Sequence, residues 1–239
     1  MIPRSAATAR QFGQRMWTGL VDILFPPRCG GCQAEGSLWC QTCAASLVFV
    51  QPPTCDKCGE PNTVGLCSKC QAQPLQIEAI YSAVVFDGQI RHAVHGFKYE
   101  RQSSLAEPFG RLLAAYWQSR ALHADWLIPV PLHAARQRER GYNQSELLAR
   151  QLSRQVGVPT LPNGLRRTRA TKVQMQLNAA ERKINVAGAF QADDVRLKGR
   201  RAVVIDDVCT TGATLDACAI ALLQAGAASV IGLTLARTP

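Results

Sequence analysis

Residues 201–225 read RAVVIDDVCTTGATLDACAIALLQA, and this stretch decides the fold. Ala202-Val203-Val204-Ile205 is a short β-branched run of the kind that fills the middle of a parallel sheet and is buried on both faces. Two carboxylates follow at once, Asp206 and Asp207, and then a hydroxyl-rich turn, Val208-Cys209-Thr210-Thr211-Gly212-Ala213-Thr214, around one glycine. Beyond the turn Leu215, Ala219, Leu222 and Leu223 keep helical spacing, and Gly226 is placed to end the helix. The stretch therefore predicts a strand, an acidic pair, a turn and a helix N-terminus in succession. Open α/β folds bind ligands at such a carboxyl edge of the sheet.

The pieces are chemically complementary. Backbone N–H groups at a helix start, with the hydroxyls of Thr210, Thr211 and Thr214, make a cradle for a phosphate. Gly212 lets the backbone approach closely. A carboxylate pair beside that cradle repels a second phosphate but accepts hydrogen bonds from a diol, so the ligand it describes is a ribose 5-phosphate. Adjacent aspartates at the end of a buried strand are costly without such a task. The segment VVIDDVCTTGAT resembles the phosphoribosyl-diphosphate loop of the type I phosphoribosyltransferases. By that resemblance Asp206 and Asp207 hold the ribose 2- and 3-hydroxyls, while Cys209, Thr210, Thr211, Gly212, Ala213 and Thr214 surround the 5-phosphate. Cys209 stands where that loop usually carries a small or apolar residue, and its thiol is expected to be partly exposed.

Eight of the ten cysteines lie between residues 29 and 70 as four C-x-x-C pairs: Cys29-Cys32, Cys40-Cys43, Cys55-Cys58 and Cys67-Cys70. Four thiolates in a tetrahedron suit Zn²⁺, and eight make two structural sites. So short a segment lacks a core of its own, and the metal would supply its folding energy. A disulfide framework needs an export signal, which the N-terminal residues do not resemble because Asp22 interrupts their apolar run. Iron–sulfur ligation fits the regular pairs less well than zinc ribbons do. The preferred pairing is sequential, 29, 32, 40 and 43 on one ion and 55, 58, 67 and 70 on the other; the spacing leaves a cross-brace open.

The remaining chain reads as one α/β domain over 74–239, preceded by a zinc-ribbon module over 26–73 and a short amphipathic helix over 1–25. A strand is expected over 77–86, with a helix beginning near His92 and carrying Lys98 as an anion contact, and an amphipathic helix over 105–121. Trp126 to Leu132 reads as a buried strand stopped by proline. It feeds a loop with Arg136, Arg138, Arg140 and Gly141, then a helix from about Ser145. Arg136 and Arg140 are candidate pyrophosphate contacts, because guanidinium forks match pyrophosphate oxygens. Residues from Leu165 onward read as a second basic region, suited to a mobile loop over the site. The net charge of +10 is unevenly placed: Pro129 to Arg201 holds 15 Lys or Arg against 5 Asp or Glu. A polyanionic partner is the natural inference, either pyrophosphate groups or a nucleic acid backbone. Aromatic stacking platforms are scarce there, with Tyr142 the main one. The chain has no apolar run long enough to span a membrane.

Taken together, the four C-x-x-C pairs, VPLHAARQRERGYNQSELLA, RRTRATKVQMQLNAAERKINVAGAF and IDDVCTTGAT resemble the ComF family, also named GntX, over residues from about 26 to 237. The family's RGFNQ-like motif falls on Arg140, Gly141, Tyr142, Asn143 and Gln144, with Tyr142 in place of Phe. The resemblance implies a double zinc ribbon fused to a type I phosphoribosyltransferase fold, located in the cytoplasm. It also implies a role in natural competence, where incoming single-stranded DNA is handled with other competence proteins. Two functions follow as expectations. One is a phosphoribosyltransferase of unknown acceptor, using phosphoribosyl diphosphate with Mg²⁺ held by the ligand's own oxygens. The other is a non-catalytic nucleotide or single-stranded-DNA-binding scaffold using the same pocket and the basic strip.

Overall fold

The computed structural model describes residues 26–169 and 188–239. The expected N-terminal helix and most of the expected mobile loop lie outside those residues. In chain order the helices are α1 (Gln41–Ala45), α2 (Ser68–Ala72), α3 (Gly88–Tyr99), α4 (Ala106–Ser119), α5 (Ala134–Arg140), α6 (Gln144–Val156) and α7 (Ala213–Gln224). The strands are β1 (Ile80–Val85), β2 (Trp126–Pro129), β3 (Arg166–Arg167), β4 (Phe190–Gln191), β5 (Arg201–Cys209) and β6 (Ser229–Arg237). Four of them form one parallel sheet in the order β1-β6-β5-β2, and β3 and β4 pair as a short antiparallel ribbon.

Alternation along β5 divides the core. Val203 and Ile205 join Val94, Phe97, Phe109, Leu113, Leu148 and Leu152 on the face covered by α3, α4 and α6. Ala202 and Val204 join Leu215, Cys218, Ala219 and Leu222 of α7 on the other, together with Cys55, Cys58, Cys67 and Cys70. A strand buried on both faces reads as a continuous apolar run, which is why 202–205 was legible. The strand is longer than that run. It spans nine residues, because β6 pairs with it from Arg201↔Ser229 to Cys209↔Arg237.

Neither edge of the sheet is bare. Val50 N–H donates to Ala83 at 3.1 Å and Val85 N–H to Val48 at 2.8 Å, so the chain between the two cysteine clusters runs along the outer edge of β1. On the β2 side, Leu127 N–H donates to Pro159 and Leu161 N–H to Leu127, both at 2.9 Å. Covered edges prevent strand addition by other chains.

Two local expectations are corrected. The loop expected to carry Arg136, Arg138, Arg140 and Gly141 is largely the helix α5: residues 134–140 are good helix formers, His133 Nδ1 accepts from Ala135 N–H at 3.3 Å, and Gly141 closes the turn at φ 85°. The basic region expected to be loop from Leu165 onward begins instead as strand β3, paired with β4 through Arg166↔Gln191 and Arg167↔Phe190. By contrast, Gly226 lies one residue beyond the C-cap of α7 at φ 96°, where the sequence placed it.

Candidate functional site

β5 delivers Asp206 and Asp207 to the carboxyl edge of the sheet, and the turn after Cys209 leads straight into α7. Gly212 is the N-cap at φ 79°, a backbone conformation that L side chains adopt only with strain. The Thr211 hydroxyl accepts from Ala213 N–H at 3.4 Å. Thr210, Thr211, Ala213 and Thr214 are partly exposed around the buried Gly212. The first amides of a helix lack intrahelical partners, so this turn presents N–H donors and hydroxyls together, as a phosphate cradle requires.

The two acids have different surroundings. Asp207 is 5 % exposed, and its Oδ1 lies 2.8 Å from Lys98 Nζ on the last turn of α3. Lys98, expected as an anion contact, is thus engaged with a carboxylate of the chain itself. Asp206 is half-buried; its Oδ1 accepts from Ser145 Oγ at 2.8 Å and from Asp207 N–H at 2.9 Å. Burial, then repulsion from Asp207, pushes the Asp206 carboxyl up to about 7, against the pull of Lys98 and the Ser145 hydroxyl. Near neutral pH this carboxyl is poised between its protonated and ionised forms.

The basic residues gather from several elements. Arg136 is half-buried on α5. The Arg167 guanidinium on β3 is drawn down by burial and by Arg136, with Cys218 and Asp206 pulling the other way, so these groups share one local field. Arg140 stacks its guanidinium 5.0 Å from the centre of the Tyr99 ring. Ser145, bonded to Asp206, is a candidate site residue that the sequence reading missed. Ser145 had one available signal, its place at the start of a helix following a strand's carboxyl edge.

Two expectations fail here. Cys209 is not a partly exposed thiol: it is 2 % exposed, and burial pushes its thiol up to about 11. Pairing of β5 with β6 through residue 209 turns it into the core. Tyr142 is not an open stacking platform. Its ring lies 6.0 Å from that of Phe97 and its hydroxyl donates to the Phe97 carbonyl at 2.6 Å, which ties the segment before α6 to α3.

The cysteines cluster as Cys29, Cys32, Cys40, Cys43 and as Cys55, Cys58, Cys67, Cys70, the sulfur atoms of each cluster lying within 4.8 Å of one another. This is the sequential pairing. The 3.6 Å separations of Cys29–Cys43, Cys32–Cys40 and Cys58–Cys67 match the roughly 3.8 Å edge of a tetrahedron built on Zn–S bonds of about 2.3 Å. Backbone N–H groups of Cys40 and Cys67 point at Cys29 and Cys55 sulfur, each at 3.3 Å. Burial raises the Cys29 and Cys55 thiols, but such backbone hydrogen bonds outweigh it and bring both down to about 6. Burial and then neighbouring thiols push Cys43 far up, and Cys58 and Cys70 are also raised, chiefly by burial. Four thiolates in one cluster need a divalent cation to coexist, and the donor set fits zinc.

A parallel sheet with an acid pair and a helix-capping hydroxyl turn at its carboxyl edge, bearing two tetracysteine sites, defines a phosphoribosyltransferase-fold protein with a double zinc ribbon. Comparison agrees: residues 20–72 match the double zinc ribbon domain and residues 142–239 the phosphoribosyl transferase domain. The DNA utilization protein YhgH of Escherichia coli K12 is 34% identical over 195 residues, covering 77% of this chain and 84% of that one. Competence protein F of Haemophilus influenzae is 31% identical over 218 residues (88% and 85%), and competence protein ComFC of Bacillus subtilis 27% over 211 residues (83% and 84%). The chain belongs to the ComF family. Among solved structures, glutamine phosphoribosylpyrophosphate amidotransferase from B. subtilis aligns at 26% identity and a TM-score of 0.38, covering 55% of this chain and 26% of that one. No helix among the described residues is long and apolar enough to cross a membrane.

Proposed function

We propose that this protein binds phosphoribosyl diphosphate or ribose 5-phosphate in the pocket between β5 and α7 and acts in the cytoplasmic handling of single-stranded DNA during competence. The observation that carries the pocket is the continuity of β5, Asp206-Asp207 and the 210–214 turn into the N-terminus of α7. In this reading the turn holds the 5-phosphate, and Asp206 and Asp207 receive the ribose hydroxyls. Asp207 Oδ1 is paired with Lys98; in this reading its other oxygen receives the ribose hydroxyl, and Mg²⁺ is not held by a cage of protein carboxylates. Such an ion would ride on the diphosphate and ribose oxygens, neutralising the pyrophosphate group. In this reading Arg136 and Arg140 contact that end. As a phosphoribosyltransferase the protein would let an acceptor attack C1 as the bond to pyrophosphate breaks. The names of the E. coli, H. influenzae and B. subtilis relatives support the DNA-linked role.

The excess of 15 basic over 5 acidic residues between Pro129 and Arg201 favours a second reading. Here the protein is a non-catalytic scaffold whose basic strip follows a DNA backbone and whose pocket holds a nucleotide. Both readings share one test. Replacing Asp206 and Asp207 together by Ala is expected to abolish binding of phosphoribosyl diphosphate while zinc content stays at two ions per chain. Unchanged affinity in the double variant refutes the site; pyrophosphate release by the wild type separates enzyme from scaffold.

A further inference from the structure

The two cysteine clusters differ in what they touch. The first packs on the helical face: a Cβ on Gly30 would meet Leu105 and Ala93, one on Gly31 would meet Gln89, and Trp39 sits edge-on to Phe109 at 5.9 Å. None of these contacts reaches the phosphate turn. The second cluster meets it along two routes.

One route runs through Arg237, the last residue of β6 and 1 % exposed. Its guanidinium donates to the carbonyl of Cys58 and, at 3.2 Å, to Glu60 Oε2. Its backbone pairs with Cys209, the residue before Thr210, and Thr238 N–H donates to the Cys209 carbonyl at 3.0 Å. A buried guanidinium is retained only where its charge is met, and here it is met by Glu60, two residues beyond Cys58, together with the Cys58 carbonyl of the knuckle. The other route runs through the chain just beyond Cys70. Asp216, in the first turn of α7 and 4 % exposed, accepts from Gln76 N–H at 2.6 Å and Ile77 N–H at 2.9 Å. Lys57 Nζ donates to the Ile77 carbonyl at 3.0 Å, and Ile80 N–H donates to the Lys57 carbonyl at 2.8 Å. Gly212 rests on this segment so closely that a Cβ there would lie 2.7 Å from Ile80 Cδ1 and 3.3 Å from Leu75 Cδ1.

We infer that the second cysteine cluster is a built-in support of the phosphate turn, with Arg237 and Asp216 as the positioning residues, and that the first cluster is not. Occupancy of Cys55, Cys58, Cys67 and Cys70 then governs ribose 5-phosphate affinity, whereas occupancy of the first cluster leaves it unchanged. The inference rests on the pocket proposed above. The clusters also differ in access: Cys32 is exposed and Cys40 partly so, while all four residues of the second cluster are buried. Zinc should therefore leave in order, first cluster before second.

The test uses the full-length, zinc-loaded protein, a chromogenic chelator to count released zinc, ribose 5-phosphate as the probe, and hydrogen exchange of the amides at 209–216. Affinity is expected to survive loss of the first equivalent and to fall with the second, in step with faster exchange at 209–216. Arg237→Met and Asp216→Asn are expected to weaken ribose 5-phosphate binding roughly 10–100-fold, as loss of an orienting partner typically does. This loss should occur with both zinc ions retained and cooperative unfolding preserved. A variant that fails to fold leaves the stepwise chelation on wild-type protein to decide. Affinity lost with the first equivalent, or kept after the second, overturns the inference. If the zinc-loaded wild type does not bind ribose 5-phosphate, the pocket reading falls, and the exchange data alone judge the coupling: protection at 209–216 unchanged by loss of the second zinc refutes it.

Discussion

Asp206→Asn should make the ligand-free protein more stable at pH 8 and nearly no different at pH 4. The Asp206 carboxyl is raised from 3.8 to about 7, first by burial and then by Asp207. A carboxyl raised by folding contributes stability that is complete below its unfolded value and is lost as pH climbs through its folded value. The rise corresponds, at about 1.4 kcal/mol per pH unit, to roughly 4 kcal/mol of strain in the ionised folded state. Asp206 is only half-buried, and solvent screening reduces this to about 2 kcal/mol. Asparagine removes the charge and keeps an oxygen to accept from Ser145 Oγ and Asp207 N–H. At about 2–4 °C per kcal/mol for a chain of this size, the expected gain in Tm is roughly 4–8 °C at pH 8. It should shrink across pH 7 to 4, with ribose 5-phosphate binding weakened throughout. Differential scanning calorimetry of both proteins across that range reads the difference directly. A loss of stability at pH 8, or a gain independent of pH, would refute the reasoning, because it would mean the acid is not held ionised against its surroundings. Stability gained at the expense of binding is the expected signature of a functional site.

Two smaller perturbations test neighbouring parts of the account. Gly212→Ala places a side chain at φ 79° and against Ile80, and should cost about 1–3 kcal/mol by urea unfolding, together with phosphate affinity. Tyr142→Phe removes the hydroxyl bonded to the Phe97 carbonyl and should cost about 0.5–1.5 kcal/mol of stability. Urea unfolding of the two proteins reads the difference, and unchanged stability would refute the tie between Tyr142 and Phe97.

What the sequence revealed and what it concealed have physical causes. The strand, acid pair, turn and helix of 201–225 were legible because each rests on local pattern: a two-face apolar run, a glycine where φ must be positive, a helical repeat. The sequential pairing of the cysteines was favoured for the same reason, since each four-cysteine set lies within a short span of chain. The partners of the two acids were hidden. Ser145 and Lys98 come from separate helices far along the chain, following β2 and β1, and the β1-β6-β5-β2 sheet order brings them to one edge. Arg237 was hidden more deeply, because an arginine near the end of a chain reads as solvated, whereas here Cys58 and Glu60 bury it. Cys209 was misread because strand length depends on the partner: β6 extends the pairing past the apolar run and turns the thiol inward.

The pocket itself is tested most directly by titration calorimetry of the zinc-loaded protein with phosphoribosyl diphosphate, with and without Mg²⁺. The account predicts saturable binding at one site per chain, strengthened by Mg²⁺ and absent when Asp206 and Asp207 are both replaced by Ala. No heat of binding under either condition, from folded protein carrying both zinc ions, would contradict it.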